Sequence, residues 1–198
     1  MFIHLFSFFY LQIAAIETPF QRIDVYDVLR PVDQQDLIAE YKKSISNDGS
    51  YESRRHPEFY DLDRILFLDG VMQSRRSGDA PYHEALVHPA MFTHLNPKRV
   101  AIIGGGEGAT LREVLKHNTV EKVIMIEIDE VMVEASREFL PDWNDCSNLV
   151  GSRPNCFDDP RAEVFFEDAF KWLIDRFSNG GELSGTEEPF DVIIIDAL

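Results

Sequence analysis

The sequence predicts an α/β fold: a parallel sheet wound by helices on both faces, preceded by a small antiparallel β-module. Three observations predict it. Apolar runs without polar alternation, of the kind buried on both sides of a sheet, recur through the second half of the chain. Stripes of apolar residues at helical spacing separate them. A glycine cluster stands where the first such run turns into the first stripe.

Composition sets the outer bounds. The 198 residues are 44 % hydrophobic and 27 % charged, which suits a globular core and is too apolar for disorder. Nineteen Lys+Arg against 35 Asp+Glu leave a net charge of −16. That charge argues against nucleic acid as a partner, since phosphates need Lys and Arg, and favours cations. The two cysteines, Cys146 and Cys156, lack a CxxC-type metal spacing and cannot staple a chain of this length, so reduced thiols and a cytoplasmic location are the default.

Residues 1–17 contain an apolar run with no basic n-region or clear cleavage site, shorter than the ~20 residues a spanning helix needs. They read as a leader without an assigned role. Residues 18–80 form the expected β-module. Phe20, Arg22, Asp24 and Tyr26 alternate with Gln21, Ile23 and Val25, and Asp69-Gly70 marks a turn inside Arg64–Met72. A polar stretch at about 31–63 reads as an insert without chemistry.

Residues 81–198 carry the alternation. Tyr82–Leu95 has helical spacing, and Pro89 is expected to kink that helix or start another. The runs Val100–Ile103, Val123–Ile128, Val164–Phe166 and Val192–Ile195 predict four strands with three helices between them. The last run ends at Asp196, close to the final residue. An unprotected buried-type strand there predicts a truncated copy of a longer protein, incomplete at its C-terminus.

Gly104-Gly105-Gly106-Glu107-Gly108 permits a tight strand-to-helix turn and close approach of a ligand to the backbone. Glu127, ending the next strand, stands where an acid binds ribose hydroxyls. A nucleoside-type ligand follows from this context. Glu107 narrows its charge. A carboxylate in the loop repels a pyrophosphate, by roughly 1 kcal/mol at ~4 Å in water and more near a partly dry surface. The same carboxylate attracts an ammonium or sulfonium. Its plainer role is that of an acid favoured in a first helical turn.

Other signals are discounted. His83-Glu84 with His88 spaces its imidazoles one residue too far apart for a zinc helix, so no metal is expected. His56, His94 and His117 have no companions at useful spacing, and Trp143 and Trp172 read as core or lid packing. Asn144–Asp158 and Ser178–Pro189 read as flexible loops.

The segments LDGVMQ (68–73), PYHEALVHPAMF (81–92), NPKRVAIIGGGEGATLREVLKH (96–117), VEKVIMIEIDE (120–130) and FDVIIIDAL (190–198) together resemble the polyamine aminopropyltransferases, the spermidine, spermine and thermospermine synthases. The resemblance implies a class I methyltransferase-like Rossmann domain behind a small β-domain. It implies no bound cofactor, with decarboxylated S-adenosylmethionine as co-substrate and a small polyamine, putrescine or spermidine, as acceptor. Because this donor has no carboxylate, an acid at Glu107 becomes intelligible. The match implies donor contacts for Gln21, Gly104, Gly106, Glu107, Gly108, Glu127, Asp168 and Ala169, the last standing where the family has glycine. It implies acceptor-side roles for Tyr82, His83 and Asp196, with Asp196 as the catalytic base. A homodimer is the assembly it suggests, with no membrane partner. Two alternatives stand beside it: a methyltransferase on the same fold, separated by donor choice, and a non-catalytic partner of a complete synthase, separated by turnover.

Overall fold

The computed structural model describes residues 9–29, 63–149, 151–178 and 180–197. Residues 1–8 of the apolar run, most of the polar insert and His56 lie outside the described residues. The chain divides into two compact units, Met1–Ile16 with Arg22–Ser77, and Glu17–Gln21 with Gly78–Leu198.

The first unit is a four-stranded sheet in the order β1-β2-β3-β4, built from Phe9–Glu17, Arg22–Leu29, Asp63–Leu68 and Val71–Arg75. Part of the apolar run to which the sequence assigns no role is therefore a strand. β-branched and aromatic residues favour it, and Gln12 at its centre donates to Asp24 of β2 at 2.7 Å. Antiparallel register pairs Ile23 with Leu68 and Val25 with Leu66, so Ile23, Val25, Ile65 and Leu66 are all buried. Asp69 and Gly70, both with positive φ, close the β3–β4 hairpin as their sequence signal predicts.

The second unit holds a four-stranded sheet in the order β7-β6-β5-β8: Arg99–Gly104 (β5), Lys122–Glu127 (β6), Ala162–Phe166 (β7) and Val192–Asp196 (β8). All its pairs are parallel. The sheet thus reverses its winding between β5 and β8, where open α/β sheets bind ligands beyond their carboxyl ends. Helix α1 (Asp79–Thr93) precedes β5, and α2 (Ala109–Leu115), α3 (Glu130–Phe139) and α4 (Ala169–Phe177) fill the crossovers. One apolar layer joins Val87 and Met91 of α1 and Leu111 and Val114 of α2 to Val100, Ile102, Val123 and Met125 of the sheet. The opposite layer sets Trp172 of α4 on Ile124 and Ile126. Among the described residues no helix is long and apolar enough to cross a membrane.

Two expectations need correction, and a third is narrowed. Helix α1 runs through Pro89 without a second helix starting there. Proline removes the N–H that would bond residue 85, but Ala85 and Pro89 both lie on the exposed face, where a freed carbonyl is open to solvent. Cys146 and Cys156, expected as free thiols, form a disulfide with Cα atoms 5.1 Å apart. The loop between them, expected to be flexible, is held by a bridge between Asp145 and Asn155 and by a 3-10 turn at Cys156–Asp158. Asn144 anchors it from the side, donating to the carbonyls of Ser136 and Leu140 at 3.1 Å each. Phe157 then packs, buried, into the apolar layer.

Candidate active site

The carboxyl ends of β5, β6 and β8 converge on the glycine turn. Gly104 has φ +80, and a Cβ there would stand 2.3 Å from the backbone oxygen of Asp196. Only glycine allows this approach of β5 to β8, and the Gly105 N–H donates to that same oxygen at 3.0 Å. A Cβ on Gly106 would meet Met132 at 2.7 Å and Glu127 Oε2 at 3.1 Å. Gly108 caps α2 in the left-handed region.

Around this turn the structure brings together three of the sequence-predicted residues. One ligand-type atom each of His83, Glu107 and Asp196 lies within 4.8 Å of the others. His83 is fully buried on α1. Its Nε2 lies 3.1 Å from Glu107 Oε1, while Nδ1 lies 2.9 Å from the Asp79 carbonyl oxygen and 2.7 Å from Asp79 Oδ1. Burial opposes charge on the ring, but the bonds to Asp79 and Glu107 and the Glu107 charge outweigh it and raise the pKa to about 10. A pKa of about 10 favours the imidazolium at neutral pH, in which both ring nitrogens are donors.

Asp196 ends β8 and accepts from Thr110 Oγ1 at 2.6 Å. Burial and the nearby Glu107 raise its pKa, and the Thr110 bond and the His83 charge oppose the rise. Tyr82, half-exposed, sets its ring edge-on to His83 with centroids 4.8 Å apart. Its hydroxyl is pushed up by burial and by the charges of Asp196 and Glu107. The carboxyl end of the sheet thus carries two acids, a histidine whose pKa is raised and a phenol whose pKa is raised, which suits a cationic ligand with an acceptor for its proton.

Glu127, at the end of β6, is buried, and burial raises its pKa above the usual carboxylate range. Its Oε1 accepts the Asp129 N–H at 3.0 Å. Gln21 donates to Asp129 Oδ2 at 3.0 Å, beside Thr18 Oγ1 at 2.8 Å. Asp168 caps α4 by accepting the Lys171 N–H at 2.9 Å, and Ala169 opens that helix.

Several residues at the site escape sequence reasoning. Asp129 is one; its only local signal is its place as the N-cap of α3, where it accepts the Val131 N–H. Thr110 and the buried set Asp79, Arg112 and Glu113 are others. Arg112 Nη1 donates to Asp79 Oδ2 at 2.9 Å and to the carbonyls of Asp142 and Trp143, and its Nε donates to Glu113 Oε1 at 2.9 Å. His117, expected to stand without companions, places Nε2 3.0 Å from His88 Nδ1. Glu84, His88 and Glu113 offer ligand atoms within 4.8 Å of one another. An ammonium already stands there: Lys116 Nζ lies 2.6 Å from Glu113 and 3.9 Å from Glu84.

Residues 79–198 match the family model described as the spermine/spermidine synthase domain. Over 133 residues the chain is 50 % identical to polyamine aminopropyltransferase 1 of Hyperthermus butylicus, covering 67 % of this chain and 40 % of that protein. Over 135 residues it is 47 % identical to the polyamine aminopropyltransferase of Aeropyrum pernix, covering 68 % and 37 %. The chain thus spans about two fifths of the length of these curated relatives. It is similar to the crystal structure of spermidine synthase from Thermotoga maritima, with TM-score 0.62 and 34 % identity over 94 % of this chain and 48 % of that one. A spermidine synthase in complex with the transition state analogue AdoDATO aligns with TM-score 0.63 and 32 % identity, over 98 % of this chain and 54 % of that one.

Proposed function

The chain belongs to the spermine/spermidine synthase family, and from that premise we propose that it moves the aminopropyl group of decarboxylated S-adenosylmethionine onto an amine of putrescine or spermidine. One observation carries the reading: Glu107 and Asp196 meet at the carboxyl ends of β5 and β8, with His83 between the acids and the helix interior. Two acids against one imidazolium leave a net negative charge for a donor that carries an ammonium and a sulfonium and has no carboxylate.

The step is an in-line displacement. The amine lone pair forms a C–N bond to the methylene beside sulfur, the C–S bond breaks, and its electron pair neutralises the sulfonium to give 5′-methylthioadenosine. Free primary amines have pKa values near 10, so the acceptor arrives mostly protonated. Asp196, whose burial makes it a better proton acceptor than an ordinary carboxylate, takes the proton. Tyr82 stands beside it to orient the nitrogen, Glu127 is the partner for the ribose hydroxyls, and the glycines let the nucleoside approach the backbone. Gln21 supports this end through Asp129. Asp168 and Ala169 border the adenine in this reading. A cytoplasmic location and a homodimer belong to the same proposal and rest on family membership.

The test follows 5′-methylthioadenosine release by chromatography from the decarboxylated donor, with putrescine and spermidine as separate acceptors. The expected result is release that depends on an acceptor and is lost in Asp196→Asn, with donor affinity retained. Methyl transfer from intact S-adenosylmethionine, or tighter binding of it than of the decarboxylated form, overturns the proposal.

A further inference from the structure

The buried charges beneath His83 extend past anything the transfer step itself requires. Asp79 sits in the first turn of α1 and Arg112 in the middle of α2, and both are buried, as is Glu113 beside them. Burying three charges is costly, and here the cost is not fully met: Asp79 Oδ1, Arg112 Nη2 and Glu113 Oε2 make no hydrogen bond, so Asp79 Oδ1 holds His83 as an ion pair while the Nδ1 hydrogen bond goes to the Asp79 carbonyl. The contacts run in one line. Glu107 faces His83 Nε2 at 3.1 Å, His83 Nδ1 faces Asp79 Oδ1 at 2.7 Å, Asp79 Oδ2 accepts from Arg112 at 2.9 Å, and Arg112 donates to Glu113 at 2.9 Å. Two backbone carbonyls, of Asp142 and Trp143, fix the guanidinium from a third direction.

We propose that Asp79 and Arg112 are positioning residues of the donor site: Arg112 fixes Asp79, and Asp79 grips the Nδ1 side of His83 so that Nε2–H donates a hydrogen bond to Glu107 and holds that carboxylate facing the donor. This rests on the reading of the site as one for a cationic adenosyl donor. Neither residue touches the reacting atoms. Their effect passes through the ring, as an acid behind a histidine fixes its orientation and which nitrogens are protonated.

The arrangement also holds the charge of the ring constant. The groups facing His83 among the described residues are Asp79 and Tyr82 on its own helix, Glu107 from the glycine turn and Asp196 from the end of β8, with Arg112 of α2 behind Asp79. With Asp79 in place the ring stays charged across the neutral range, so donor affinity has no histidine limb there. Without the Asp79 charge, Glu107 alone holds the proton, and a limb appears.

The experiment uses the full chain with ring-15N histidine, assigned through His83→Gln, and records the His83 titration by NMR. In the same samples, calorimetry records the affinity for decarboxylated S-adenosylmethionine from pH 6 to 9. The expected wild-type ring is doubly protonated at pH 8. In Asp79→Asn its midpoint falls by at least ~1 pH unit, and the donor-affinity profile gains an inflection. Arg112→Lys, which keeps a cation against Asp79, shifts the midpoint less than Arg112→Gln. A purely structural role lowers stability and leaves the His83 midpoint where it was. That outcome, or a wild-type ring already neutral at pH 8, overturns the proposal. Should Asp79→Asn not fold, Asp79→Glu replaces it, with a displaced midpoint supporting the proposal and an unmoved one overturning it. A wild-type chain that binds no decarboxylated donor refutes the proposed function alone, since the titration is read without ligand.

Discussion

Replacing Glu107 with glutamine isolates the charge argument at the donor site. An ammonium seated ~4 Å from the carboxylate gains about 4 kcal/mol at an effective dielectric of ~20. His83 stands 3.1 Å behind Glu107. At ~7 Å from the same ammonium its charge returns about 2 kcal/mol of repulsion. The net pull of the pair is therefore roughly 2 kcal/mol, about half of what the loop acid alone suggests. If the ring loses its proton along with the Glu107 charge, Glu107→Gln costs about 2 kcal/mol, or roughly 30-fold in affinity; if the ring stays charged, the cost approaches 4 kcal/mol. Intact S-adenosylmethionine carries a carboxylate beside its ammonium, so its affinity should change far less. Isothermal calorimetry with both ligands on wild type and Glu107→Gln gives the ratio directly. The expected ratio of decarboxylated to intact affinity falls at least ~10-fold. A ratio unchanged within about threefold refutes the electrostatic basis of donor selection, whatever happens to absolute affinity.

Stability should fall on the alkaline side. The folded pKa of His83, about 10, lies above its ordinary 6.5, so its contribution is whole below pH 6.5 and vanishes as pH rises through about 10. At about 1.4 kcal/mol per pH unit of displacement, the loss is on the order of 5 kcal/mol, read as urea-unfolding free energies at several pH values; a curve as steep in His83→Gln refutes the assignment. Gly104→Ala forces a left-handed φ on alanine and drives its Cβ into the Asp196 carbonyl, so it should cost more than ~2 kcal/mol and lower donor affinity together with the melting temperature. An unshifted melting temperature would contradict the close approach of β5 and β8. Reducing the Cys146–Cys156 bridge, whose cysteines are 10 residues apart, should remove about 2–3 kcal/mol in a reductant titration of thermal stability. No change on reduction would show that the loop is held by Asn144 and the 3-10 turn alone.

Much of the fold was legible because it depends on local patterns. Val100–Ile103 and Val123–Ile126 are unbroken apolar runs and became adjacent parallel strands, Ile102 facing one layer and Ile124 the other. Asp69-Gly70 needed positive φ and supplied it. Pro89 left two outcomes open because the rule for proline concerns the donor it removes, and the structure answers one of them: no second helix starts there. The strand Phe9–Glu17 went unassigned because an apolar run carries no sign of its partner strand.

What the sequence by itself determined is the order of strands and helices, the glycine turn with Glu107 in it, and the placing of Glu127 and Asp196 at strand ends, since periodicity and turn chemistry act over a few neighbouring residues. What only the tertiary structure decided is the ionisation of the site. His83 and Glu107 are 24 residues apart, and Asp79 and Arg112 are 33 apart. Whether a buried imidazole is a cation or a neutral acceptor depends on which charges are folded against it and how much water is excluded. Those quantities exist only once α1, α2 and the glycine turn have packed together.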